Sequence, residues 1–175
     1  MTRLPPKGRI QKLTRLSLLV AFGLALYAVE SLISLPLGRV GLANLATLLA
    51  LVLFGGGEAF LVMGMRVLLG SILIGGFFNP AFLLSAAGGV ASTLVMILLF
   101  PFYPRVFSIV GISIWGALAH NLAQLLAAYL LLGQAQAIFS LLPFISIISL
   151  GGGLIIGLLA WLVICRLPVP PSMIN

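Results

Sequence analysis

The chain has 175 residues, of which 62% are hydrophobic and only 6% charged. A soluble domain of that length carries about 25% charged residues, so the composition excludes a water-soluble globule and points to an integral membrane protein. The formal net charge of +7 does not point to nucleic acid, because no basic face interleaved with aromatics exists to bind one.

Five of the nine basic residues, Arg3, Lys7, Arg9, Lys12 and Arg15, fall within residues 1–15. Such a tail faces anionic headgroups and the cytoplasm. Six apolar segments follow, at about 16–33, 42–54, 59–74, 81–100, 107–132 and 139–165. Most approach the roughly 20 residues that span a bilayer as a helix. The second and third are shorter and would start earlier, tilt or thin the bilayer locally. The first segment has a basic flank, but its apolar run is too long for a cleaved signal peptide and no A-x-A site follows, so it reads as a retained helix.

These segments predict an all-α integral membrane protein with six transmembrane helices. The division is a basic tail at 1–15, a six-helix domain at 16–166 and a short tail at 167–175. With six crossings and the N-terminus inside, the inner side holds the five N-terminal charges plus Arg105 and Arg166. The outer side holds Arg39 alone, and Arg66 lies within the third segment. That asymmetry places both termini in the cytoplasm of a cell membrane.

The polar residues inside this apolar background are the functional candidates. Glu30 ends the first segment, on the side of Gly23, Tyr27 and Ser34. Opposite it Ala21, Ala25 and Ala28 make a small, smooth stripe. That division suits a helix that docks a partner on one face and lines a cavity with the other. Asn44 opens the second segment and is placed to face a cavity; Asn79 precedes Pro80 and suits a helix cap.

Arg66 is a permanent cation at membrane depth, which costs several kcal/mol unless it is paired or hydrated. Its partner could be Glu58, eight residues earlier and about 12 Å along one helix, or Glu30, or an anionic ligand; snorkelling to the interface is the remaining choice. In the fifth segment His120, the single histidine, and Gln124 share a helix face with Gly116, Ala117, Ala123 and Ala127, and Asn121 lies beside them. Two readings fit that group: hydrogen-bonded glue between helices, and part of a binding cavity.

Several chemistries lack their residues. One histidine and one cysteine on different segments make no ordinary metal site. There is no Gly-x-x-x-x-Gly-Lys-Ser/Thr loop for ATP, and no serine with its histidine and acid in a nucleophile motif. Both acidic residues are glutamates, and with no aspartate the Mg²⁺ sites of diphosphate chemistry are not expected. The chain therefore reads as a non-enzyme with no cofactor.

The stretches YAVESLI, GLANLATLLAL, MRVLLGSILIG, SAAGGVAS and GALAHNLAQLLAA resemble the Gx transporter family over about residues 16–166. Its members are often labelled heptaprenyl diphosphate synthase component I and are similar to the substrate-binding S components of energy-coupling-factor (ECF) transporters. The resemblance implies a six-helix bundle with a ligand cavity open to the outside. It also implies that Ala21 and Ala25 match the Ala-x-x-x-Ala motif that docks a membrane coupling subunit, powered by two cytoplasmic ATPases. The expected function is uptake of a small vitamin-like or cofactor-precursor substrate, with Arg66, His120, Asn121, Gln124, Glu30, Asn44 and Asn79 as site candidates. The alternative is a non-catalytic membrane accessory of a prenyl diphosphate synthase. The DDxxD motifs of such synthases cannot occur in this chain itself.

Overall fold

A computed structural model describes residues 6–32, 41–73, 79–133, 140 and 142–166. Arg3, Ser34, Arg39, the QAQ of the GQAQ loop and the tail at 167–175 lie outside the described residues. Every regular element among those described is helical: α1 (Pro6–Leu32), α2 (Asn44–Phe54), α3 (Gly56–Leu73), α4 (Pro80–Leu99) with a 3₁₀ turn at Phe100–Phe102, α5 (Ile109–Leu132) and α6 (Leu142–Arg166).

Local chemistry sets several helix ends. The Asn79 side-chain oxygen accepts from the backbone N–H of Ala81 at 2.6 Å, and Pro80 opens α4, a pairing that supplies an orphan donor with its acceptor and needs no N–H at the first position. Ser108 caps α5 by accepting from Gly111 N–H at 3.0 Å. Between α2 and α3 there is one residue, Gly55, with φ at +105°. That conformation is open to glycine and strained for other residues, and it lets the chain reverse directly from one helix into the next.

Among the described residues, five helices are long and apolar enough to cross a membrane: α1, α3, α4 with its 3₁₀ turn, α5 and α6. Of the six transmembrane helices expected from the sequence, these five have the length of a span. The sixth helix, α2, has 11 residues, about 16 Å against the ~30 Å hydrocarbon core, because Gly55 ends it. Nor does α1 begin where the basic tail was expected to end. It starts at Pro6, so Arg9, Lys12 and Arg15 ride on its first turns. The third segment likewise starts earlier, at Gly56, and α3 gains a full 18 residues.

The core is built around the short helix. Residues Ala43 to Val52 are all buried, and α1, α3, α4 and α6 each pack against α2. The most extensive faces are α4 on α5 and α5 on α6. At the latter the backbones nearly touch: a Cβ at Gly153 would lie 2.7 Å from Ile114 Cα, and one at Gly157 would lie 2.6 Å from Val110 Cα. Small residues allow such an approach where apolar burial alone gives helices no reason to associate. The opposite face of α6, with Ile147, Leu154, Ile155 and Leu162, is exposed, as lipid-facing leucines and isoleucines should be. This is an all-helical, multi-pass membrane protein.

Candidate functional site

Five helices deliver polar groups to one place. A cavity of about 10 Å³ is lined by Tyr27 and Glu30 of α1, Gly41 and Asn44 at the start of α2, Arg66 of α3, Ser85 of α4, and His120 and Gln124 of α5. It lies toward the end of the bundle away from the basic first turns of α1. That volume holds about one water molecule. Glu30, Asn44, Arg66 and His120 are each only 6% exposed, so their charges and dipoles act in a low-dielectric setting.

The groups are held by specific contacts. Arg66 donates from its terminal NH2 to the Asn44 side-chain oxygen at 3.3 Å, which anchors the guanidinium against α2. Glu30 accepts from the backbone N–H of Gly41, tying the end of α1 to the entrance of α2. A guanidinium, a carboxylate, an imidazole, two amides, a phenol and a hydroxyl thus share one small space.

Three glycines shape its walls. A Cβ at Gly23 would lie 3.3 Å from Arg66 Cδ and 3.0 Å from the Ala46 Cβ. One at Gly70 would lie 3.1 Å from the Tyr27 ring. One at Gly88 would meet His120 Cε1 at 2.8 Å and Gln124 Cγ at 2.9 Å. Each missing side chain on α1, α3 or α4 gives a cavity residue of the facing helix its room.

Of the residues singled out in the sequence, Glu30, Asn44, Arg66, His120 and Gln124 line this cavity; Asn121 and Asn79 do not. Asn121 is turned toward α6, where its amide donates to Ser149 Oγ at 2.6 Å and that hydroxyl donates to the Ile145 carbonyl at 2.6 Å. It is a link between two helices. Asn79 is exposed and serves as the α4 cap. Glu58 does not partner Arg66: it pairs with Lys12 at the other end of the bundle. Ala21, Ala25 and Ala28 lie on the exposed side of α1, while Gly23 and Glu30 on its other side are buried. Sequence reasoning missed Ser85 as a lining residue, and named Tyr27 only as lying on the Glu30 face. Its signal was one helical turn: Tyr27 lies three residues before Glu30. Among the described residues, no group of three or more His, Cys, Asp or Glu side chains could hold a metal ion.

The family model for heptaprenyl diphosphate synthase component I matches residues 19–163. The chain belongs to that family. The match runs from within α1 to near the end of α6 and so includes every element that lines the cavity. Neither the curated proteins nor the solved structures include a match to this chain.

Proposed function

We propose that this component I-family protein is a membrane transport subunit. In this reading it takes a small vitamin-like or cofactor-precursor molecule at the outer side and moves it across the cell membrane, as the S component of an ECF-type system. The bundle crosses six times, α2 being a short central crossing, and both termini are cytoplasmic. The observation that carries the reading is the convergence of Glu30, Asn44, Arg66, His120 and Gln124 from four helices on one buried cavity. Isolated polar residues that only glue helices together would form separate pairs, as Asn121 and Ser149 do. Polar groups gathered inside a membrane bundle mark a binding site or pathway.

The cavity in this closed form is far smaller than the 300–1,000 Å³ that encloses a typical small-molecule ligand. Substrate entry therefore requires the helices around it to part, and the glycine contacts at Gly23, Gly70 and Gly88 are where they can slide. The exposed stripe of Ala21, Ala25 and Ala28 is the docking face for a membrane coupling subunit, which cytoplasmic ATPases would power. The substrate carries an anionic or strongly hydrogen-bonding group to complement Arg66.

The family description favours a second reading, in which the chain is a non-catalytic membrane accessory of a prenyl diphosphate synthase. Purification from native membranes in mild detergent, followed by mass spectrometry of bound proteins and small molecules, separates the two. Coupling and ATPase subunits, or a stoichiometric small polar molecule, support transport. A synthase subunit in their place supports the accessory role.

A further inference from the structure

At the opposite end of the bundle a second cleft, of about 320 Å³, opens between the first turns of α1 and the start of α3. Its lining is ordered by depth. On α1, Arg9 and Lys12 come first and Leu13 and Leu16 follow, an i, i+3, i+4, i+7 set on one helix face. On α3, Glu58 comes first and Leu61 follows one turn deeper. The cleft is thus charged at its rim and apolar inward.

The charges do not cancel. Lys12 and Glu58 pair across the cleft, which draws α1 toward α3 and neutralises both. Arg9 is left as a net cation on the rim, exposed to the surroundings. The stretch of α1 that is long and apolar enough to cross a membrane runs from Gly8 to Glu30, so Arg9 lies at its very start. Leu13 is 64% exposed and Leu61 52% exposed, continuous with the lipid-facing surface.

We propose that this cleft binds one anionic phospholipid. The Arg9 guanidinium holds the headgroup phosphate, a partner it meets through two parallel N–H donors. One acyl chain lies along Leu13, Leu16 and Leu61. A free phosphate would leave those leucines uncovered, and a zwitterionic lipid would bring its own headgroup cation to a rim that is already net positive, leaving that excess charge uncompensated. The inference is independent of the transport reading, because it needs only the membrane and the cleft.

The test is native mass spectrometry of the full chain, delipidated and then offered equal amounts of phosphatidylglycerol and phosphatidylcholine. The expected result is preferential retention of one phosphatidylglycerol. Arg9→Gln should lower that retention about fivefold, whereas Arg15→Gln, an equal charge change on an exposed residue outside the cleft, should change it by less than about twofold. Equal losses in the two variants would overturn the proposal in favour of diffuse attraction to the basic segment. Equal retention of phosphatidylcholine would overturn it in favour of a purely apolar groove. Retention of glycerol phosphate as firm as that of the lipid would overturn it in favour of an anion site without a tail.

Discussion

Gly88→Ala is the sharpest perturbation of the candidate site that leaves every lining residue in place. The added Cβ would sit 2.8 Å from His120 Cε1 and 2.9 Å from both His120 Nδ1 and Gln124 Cγ, closer than carbon atoms approach one another. Either the two α5 side chains swing into a cavity of about 10 Å³ or α4 moves away from α5. Overpacking of this kind costs about 1–3 kcal/mol. Alanine also stabilises a helix interior by about 0.5–1 kcal/mol relative to glycine, which hides part of the loss. Gly64→Ala on α3 supplies the reference, because its Cβ would meet nothing within 4 Å and it carries the same propensity gain. The two variants should therefore differ by the clash alone, about 1–3 kcal/mol in unfolding free energy in detergent. The small molecule retained on purification should fall in Gly88→Ala and not in Gly64→Ala. Equal stability and equal retention in the two variants would refute the packing of α4 over His120.

Other substitutions separate scaffold from site. Asn121→Ala removes the amide that bonds Ser149 and should cost about 0.6 kcal/mol, the usual worth of an interhelical hydrogen bond in a membrane protein, with ligand retention unchanged; thermal unfolding and retention measured on one preparation check both halves. Gly153→Ala should destabilise more, by about 3 kcal/mol, because its Cβ meets backbone, Ile114 Cα at 2.7 Å, and backbone cannot swing aside; a variant as stable as the wild type would contradict the α5–α6 contact. Ala21→Leu with Ala25→Leu changes two exposed positions, so stability should shift by less than about 0.5 kcal/mol while co-purification of a coupling subunit is lost. If the partner still co-purifies, the docking face lies elsewhere.

The sequence made the helices legible because apolar runs and glycine or proline breaks are strong signals, and it made Arg66 and Glu30 stand out because charge is costly in lipid. The extent of α2 was legible too, but not its place at the centre, since an apolar run reads alike whether it faces lipid or is enclosed by other helices. Only the packing of four neighbours around Ala43 to Val52 tells them apart. Helical periodicity placed His120 and Gln124 together. It could not say that Asn121, one residue and about 100° further round, would serve α6. Asn79 carried its cap signal in the following proline, whereas Ser85 carried none: a serine in an Ala- and Gly-rich helix looks the same at a cavity and at a helix contact. The wall glycines, Gly23, Gly70 and Gly88, gain their meaning only from the side chain that faces each across a helix pair.

The central claim is that the buried cavity around Arg66 holds a small molecule. Its most direct test is quantitative mass spectrometry of the small molecules released from purified wild-type protein and from Arg66→Gln, with folding of both checked by thermal unfolding. Removing a charged hydrogen-bond donor should weaken binding by about tenfold or more. The expected result is a polar compound present in near-equal amount to the wild-type protein and depleted in the folded variant. The same compound at the same level in both, or none in the wild type, would contradict the claim.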